Sequence, residues 1–445
     1  MSFDHKSLAL LSEILETLEG GFTDLPDYQP APDIAALRPV LTAAAERMHD
    51  NYPYQHPLYA GQMLKPPHPV ARLAYAMAQF VNPNNHAMDG GRASSMMERE
   101  AVAELAAMFG WKQHLGHLCG GGTMANMEAL WVAARVHPGK KIVASDQAHY
   151  THGRISEVLK VRFAPVLSDA SGRMDMSALK DMLSVGDIGT VVATMGTTGI
   201  GTTDPLEEII DLANTYDCRV HVDAAYGGYF TLADNLKPNT RRNFDCIPAA
   251  DSIVVDPHKH GLQPYGCGCI LFKDPATGAF YKHDSPYTYF TSADLHLGEI
   301  SLECSRAGAA AVALWATQRL LPLTADGDFA RNMALCRDAA CDLHARLSLD
   351  DRFLTIIQPE LDIVLWAPNA SKASAVSALS QKLFDNAAGQ NLHLALVELP
   401  ESLLAPNWPE VKFDTATTTC LRACLMKPEH AAWMDKIWGI LDTIV

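Results

Sequence analysis

Positive charge is in short supply. The 445-residue chain sets 35 Lys and Arg against 51 Asp and Glu, a formal net charge of -16, and contains no run of basic residues. This argues against a nucleic-acid or anionic-membrane partner, because phosphate surfaces are bound by clustered positive charge. Long apolar runs are missing as well: none approaches the span of a bilayer, and no apolar segment follows a basic start. No membrane partner and a cytoplasmic location are therefore expected. The ten cysteines are scattered without the spacing of a disulfide framework. Cys267 and Cys269, and likewise Cys420 and Cys424, do not match a zinc knuckle. The thiols read as reduced and packed as small hydrophobes, and no metal is expected.

What is present is an apolar chain with its charges spread evenly. Hydrophobic residues make up 48% of it, so it should be globular and ordered, with room for two or three subdomains. Leu8, Ile14 and Leu18 recur at helical spacing before Gly20-Gly21. A proline-rich stretch over residues 25–70 follows. Proline's fixed φ predicts an extended, turn-rich arm there, with one helix over residues 34–47. Leu25, Tyr28, Tyr52, Tyr54 and Tyr59 dot this arm, and either a second subunit or the chain's own surface must cover them. Residues 98–109 read as an amphipathic helix.

Beyond it, short apolar runs at residues 141–145, 161–167, 190–195, 219–222, 252–255 and 269–272 alternate with helical patterns such as 175–183 and 205–216. The alternation predicts an α/β fold, a mostly parallel sheet with helices on both faces. Apolar runs at 361–366 and 392–399 predict a small C-terminal α/β domain. The division expected is an arm over residues 1–85, a large domain over 86–310 and the small domain over 311–445.

Several of the runs end in polar residues: Asp146-Gln147-Ala148-His149, Gly196-Thr197-Thr198, Asp223-Ala224-Ala225-Tyr226 and Asp256-Pro257-His258-Lys259. Strand ends on one rim of such a sheet form ligand sites. Lys259, beside two histidines, is placed to attack a carbonyl once its ammonium is disfavoured, although a solvated loop lysine has the same local sequence. Asp223, behind Val222, needs a cationic partner if it is to stay ionised in a buried position, and a protonated pyridine nitrogen would be one. His149 offers a flat ring for stacking. Gly120-Gly121-Gly122-Thr123 opens a helical pattern, where free amides and the helix dipole can hold a phosphate. The same turn also reads as a dinucleotide fingerprint through Gly120, Gly122 and Ala125, with Asp146 for a ribose, or as a simple packing turn. No clear strand precedes it.

Taken in order, the glycine turn, Gln147-Ala148-His149, Gly196-Thr197-Thr198, His221-Val222-Asp223-Ala224-Ala225-Tyr226 and Pro257-His258-Lys259 resemble the group II pyridoxal-phosphate-dependent amino-acid decarboxylases. That family includes aromatic, glutamate and archaeal tyrosine/aspartate decarboxylases. The resemblance spans residues 56–306, with an echo at Leu421-Arg422. It implies fold type I, pyridoxal 5′-phosphate as cofactor, and a homodimer with active sites at its interface. Residue by residue, it implies that Lys259 forms the internal aldimine, Asp223 pairs with the pyridine nitrogen and His149 stacks on the ring. Gly121, Gly122, Thr123 and His258 would hold the phosphate, Ala225 would lie beneath the ring and Thr197 near it. The implied reaction converts an L-amino acid to its amine and carbon dioxide through an external aldimine and a quinonoid. Gln62, Tyr289 and Arg422 are the substrate-side candidates.

The chain also departs from the family. Residues 56–63 resemble the substrate-side strand, yet Gln62 and Met63 stand where the aromatic branch carries aromatics. The long loop that bears the aromatic branch's proton-donating tyrosine is curtailed, which leaves Tyr287, Tyr289, His296 and His149 as donors. A carbon–carbon (aldehyde) lyase or an oxygen-consuming decarboxylase would share every cofactor residue. Outside the class, a nicotinamide-dependent oxidoreductase would use the glycine turn and leave Lys259 without a task, and a binding or scaffold protein would keep the fold without turnover.

Overall fold

The computed structural model describes residues 4–26, 28, 30–282 and 297–445. Its centre is a seven-stranded sheet. The strands are β1 (Leu115–Cys119), β2 (Lys141–Ser145), β3 (Phe163–Val166), β4 (Ile188–Thr194), β5 (Arg219–Asp223), β6 (Ser252–Val255) and β7 (Gly268–Phe272), in the order β1-β7-β6-β5-β4-β2-β3. Pairings among β2 to β6 are parallel, whereas β7 runs antiparallel to both of its neighbours. The central strands are rich in β-branched residues because both sheet faces are covered. All seven residues of β4 are buried.

Helices α1 (Ser7–Glu19), α2 (Ile34–Arg47), α3 (Pro69–Gln79) and α4 (Arg92–Met108) precede the sheet. Within it come α5 (Gly122–Val136), α6 (Thr151–Leu159), α7 (Met176–Ser184), α8 (Leu206–Tyr216) and α9 (Pro238–Asp245). The strand period of two divides these helices between the faces. Val191 and Ala193 share a core with Leu179 of α7 and with Leu206 and Ile209 of α8. Val192 packs on the other side with Leu130 of α5 and Ile155 of α6.

β1 does precede the glycine turn, contrary to the sequence reading. Its apolar pattern is broken by Gly116, where a Cβ would lie 2.7 Å from the Ile270 carbonyl oxygen, and by His117, which is buried against Glu128 at 2.9 Å. Both residues answer to neighbouring elements rather than to strand propensity.

After α10 (Gly308–Leu320), which packs on α3 and α4, comes α11 (Asp328–Ser348). A four-stranded antiparallel sheet follows, with β8 (Phe353–Thr355), β9 (Ile363–Pro368), β10 (Ala395–Pro400) and β11 (Thr417–Cys424) in the order β10-β11-β9-β8. With α11, α12 (Ala373–Gly389), α13 (Glu401–Leu404) and α14 (Glu429–Ile444) it forms the C-terminal part. Trp366, Leu343, Leu383 and Ile437 lie in its core.

The arm matches the sequence reading in part. α1 and α2 bury no residue, and Leu25, Tyr28 and Tyr52 are exposed. Tyr59 is covered by the chain itself and buried, and Tyr54 is half-buried against it with ring centroids 4.9 Å apart. Nor do residues 56–63 form a strand: they make a single bridge, Tyr59 to His393. All ten cysteines are unpaired, and Cys304 is exposed rather than packed inside. No helix among the described residues is long and apolar enough to cross a membrane.

Candidate active site

The polar strand ends meet around one cavity of about 300 Å³. Into it come Gly120 to Thr123 after β1, His149 after β2, Gly196 and Thr198 after β4, Asp223 at the end of β5 with Ala225 and Tyr226 after it, and Asp256, His258 and Lys259 after β6. Parallel strands carry their C-terminal ends to the same rim, so residues far apart in sequence become neighbours.

Lys259 sits on the tight turn leaving β6. Its amide donates to the Asp256 carbonyl at 2.9 Å, and its Nζ lies 3.1 Å from Asp256 Oδ2. The amine therefore faces a buried carboxylate; His258 lines the same cavity, whereas His260 is turned away and pairs with Asp362 at 3.1 Å. Asp256 received no role from the sequence, although it closes the same apolar run.

Asp223 is more elaborately held. Oδ2 accepts from His152 Nε2 at 2.9 Å and from Asn126 Nδ2 at 3.3 Å, and Oδ1 accepts from the Ala225 amide at 3.1 Å. Burial pushes its pKa up, but the His152 hydrogen bond and charge, with Lys259, outweigh burial and hold it well below the usual carboxylate range. His152 and Asn126 escaped the sequence reading. The available signals were slight: His152 lies three residues past His149, and Asn126 lies three residues past Thr123 of the glycine turn.

His149 Nδ1 accepts from the Thr151 amide at 3.3 Å and lies 2.8 Å from its hydroxyl. Burial pushes this imidazole below its usual range, so the neutral ring carries its proton on Nε2.

Close approach explains the glycines after β1. A Cβ on Gly122 would sit 2.7 Å from Asp256 Oδ2, and one on Gly121, whose φ is +144°, would sit 3.1 Å from His258 Cε1. α5 thus starts against the β6 turn, its first-turn amides beside the cavity. His258 Nδ1 is buried without a partner among the described residues. Burial lowers the His258 pKa, so it offers a neutral donor rather than a cation. The Gly120 amide is already taken by Glu303 Oε2 at 3.1 Å.

Thr197 does not line the cavity. It is fully buried, with its hydroxyl 3.2 Å from that of Thr202, and Gly196 and Thr198 line the wall instead. Gln62 and Arg422 are brought together. Arg422 Nη2 donates to Gln62 Oε1 at 3.0 Å and Nη1 to the Thr198 carbonyl at 3.0 Å, which puts the guanidinium next to the cavity wall. Tyr287, Tyr289 and His296 lie outside the described residues. Asp146, the residue a dinucleotide reading needs, is exposed and absent from the lining.

This donor set fits a phosphorylated pyridine aldehyde. The fit rests on an orphaned buried nitrogen on His258, a helix start that side chains beyond glycine would fill, an ionised buried carboxylate and an amine within one cavity.

Comparisons with known proteins point the same way. Residues 126–367 match the family described as "Pyridoxal-dependent decarboxylase conserved domain". The chain is 29% identical over 317 residues to a probable L-tyrosine/L-aspartate decarboxylase of Methanothermobacter thermautotrophicus, covering 69% of this chain and 82% of the relative. With the L-tyrosine/L-aspartate decarboxylase of Methanocaldococcus jannaschii it shares 30% identity over 291 residues, covering 61% and 70%. The crystal structure of mouse CSAD superposes with a TM-score of 0.79 at 19% identity, covering 100% of this chain and 92% of that one, a likeness of fold.

Proposed function

Since the chain belongs to the pyridoxal-dependent decarboxylase family, whose members are carboxy-lyases that use pyridoxal 5′-phosphate, we propose that it converts an L-amino acid to its amine and carbon dioxide. The observation that carries this reading is the convergence of Lys259, Asp223 and the start of α5 on one cavity. Bound pyridoxal phosphate supplies a carbonyl for an amine and a protonated pyridine ring that takes up the electron pair left as carbon dioxide departs.

The chain's own groups divide the remaining work. Asp223, ionised despite its burial, would accept a hydrogen bond from the protonated ring nitrogen and keep the proton on that nitrogen. Lys259 Nζ is the amine that would hold the cofactor, and Asp256 Oδ2, 3.1 Å away, orients it towards the cavity. The first-turn amides of α5, Thr123 and His258 hold the phosphate. His149 covers the ring, its Nδ1 fixed by Thr151 and its Nε2 left to carry a proton. Thr197 acts from behind, by shaping the Gly196-to-Thr198 wall. Arg422 receives the substrate carboxylate beside Thr198, with Gln62 orienting the guanidinium.

The named relatives support an L-tyrosine or L-aspartate type of substrate. Carbon dioxide, amine, aldehyde and oxygen should be measured together on a panel of L-amino acids. Amine and carbon dioxide in equal amounts without oxygen uptake are expected. Aldehyde with oxygen uptake, or no product from any member, would overturn the reading.

The same reading carries two structural proposals. The chain divides at residues 85 and 310 into arm, large domain and small domain. It also works as a homodimer whose arms cover the partner, supported by two helices, α1 and α2, that bury nothing within one chain. Sedimentation should give a dimer, and loss of residues 1–55 should cost solubility and activity together. An active, soluble truncated monomer would refute the dimer.

A further inference from the structure

Asp223 is served by more donors than a single ring partner requires. An ionised carboxylate offers four lone-pair positions, two on each oxygen. Oδ2 has both of its positions taken, by His152 Nε2 at 2.9 Å and Asn126 Nδ2 at 3.3 Å. Oδ1 has one taken, by the Ala225 amide at 3.1 Å. One position on Oδ1 remains, on a residue that lines the cavity.

The donors themselves are fixed from behind. Asn126 Oδ1 lies 2.9 Å from His221 Nε2, and His221 Nδ1 lies 2.8 Å from the Ser252 hydroxyl. An amide oxygen only accepts, so His221 Nε2 carries the proton and Nδ1 accepts from Ser252. Burial lowers His221 to about 3, the neutral ring that this direction demands. Every donor in the series Ser252, His221, Asn126 therefore points towards Asp223, and the series turns the Asn126 amide so that its NH2 faces the carboxylate. On the opposite side His152 is 1% exposed, and its Nδ1 is buried with no partner among the described residues. Among the described residues, the polar contact of its ring is with Asp223. Among the described residues, Lys259 and His149 also act on this carboxylate, and Asp256 lines the same cavity.

We propose that His152, together with the Ser252-His221-Asn126 series, is a positioning device that keeps Asp223 ionised and leaves its one open lone pair aimed at the cofactor's ring nitrogen. This rests on the reading of Asp223 as the ring's partner. Loss of the His152 donor removes the largest counterweight to burial and leaves Asp223 held by Asn126 and the Ala225 amide, so the ring nitrogen loses part of its counter-charge and of its alignment.

The test uses the full-length protein stripped of cofactor and titrated with pyridoxal phosphate, followed by protein fluorescence and by the visible absorbance of the bound cofactor. His152→Leu should weaken binding by about ten- to a hundredfold, the worth of a hydrogen bond to a charged group, and alter the absorbance band. His152→Gln keeps an N–H donor and should recover most of both. In an Asp223→Asn background His152→Leu should add nothing, because its effect runs through that carboxylate. A merely structural histidine would lower the melting temperature of the stripped protein and leave the band of the bound cofactor unchanged.

If His152→Leu does not fold, Ser252→Ala carries the test, with a smaller change in the band expected. Normal affinity and absorbance in the His152 or Ser252 variant, with Asp223→Asn altered, would overturn the inference alone. If Asp223→Asn is also normal, the ring-partner reading falls and takes the inference with it.

Discussion

Gly120 and Gly122 sit two residues apart in one turn, yet the structure assigns them opposite tolerances for a methyl group. At Gly122 an added Cβ would lie 2.7 Å from Asp256 Oδ2 and 3.2 Å from its Cγ, and Asp256 is itself buried and paired with Lys259. At Gly120 the nearest atoms are Glu303 Oε1 at 3.5 Å and Met124 Cγ at 3.9 Å, ordinary contacts. Gly122 is also the first residue of α5, where alanine would by propensity stabilise by up to about 1 kcal/mol. Forcing a carbon into a packed wall costs about 1–3 kcal/mol, so the collision should win. Gly122→Ala is expected to lose about 1–2 kcal/mol in urea unfolding of the cofactor-free protein. It should also bind pyridoxal phosphate more weakly, because the displaced Asp256 carries Lys259 with it. Gly120→Ala should unfold like the parent. Equal behaviour of the two variants, or a stabilised Gly122→Ala, would refute the close-approach account of the turn.

Two further predictions concern other groups. Burial raises Asp204 from 3.8 to about 6, against the Thr194 and Met174 amides that it accepts. A carboxyl whose folded pKa is raised contributes stability that is present below the unfolded pKa and is lost as pH climbs from about 4 to about 6. Asp204→Asn should remove that slope from urea unfolding curves taken across the window, and an unchanged slope would show that Asp204 is not its source. Arg422→Lys loses the fork that reaches Thr198 and Gln62 together. KM for the amino acid should rise about tenfold or more if one charged hydrogen bond is lost, and steady-state kinetics with an unaltered KM would remove Arg422 from the substrate site.

The sheet was legible where apolar, β-branched runs are uninterrupted. Residues 141–145 and 252–255 are β2 and β6 with the boundaries read from the sequence. β1 was not legible, because Gly116 and His117 serve β7 and α5 and so disguise the strand. Within the site, Lys259, Asp223, His149 and the glycine turn could be named because each sits at a strand end with distinctive chemistry. The groups that tune them could not. His152 and Asn126 lie 71 and 97 residues from Asp223, and nothing local marks them as its partners. Thr197 and Thr198 are indistinguishable by type, and only the hydrogen bond to Thr202 shows which one turns away from the cavity. Tyr59 is one of the arm residues that need cover, and the sequence does not say whose: the cover comes from the chain's own His393 and from Lys427, whose Nζ donates to the Tyr59 carbonyl at 2.6 Å.

The central claim is that Lys259 holds the cofactor, and reduction with borohydride followed by peptide mass mapping tests it most directly. Borohydride makes permanent any bond between a lysine amine and the pyridoxal carbonyl. The account predicts one phosphopyridoxyl group per chain, on the peptide that contains Lys259, and none after Lys259→Ala. Labelling of a different lysine, such as Lys65 or Lys427, or no label on a protein that still releases carbon dioxide from an amino acid, would contradict it.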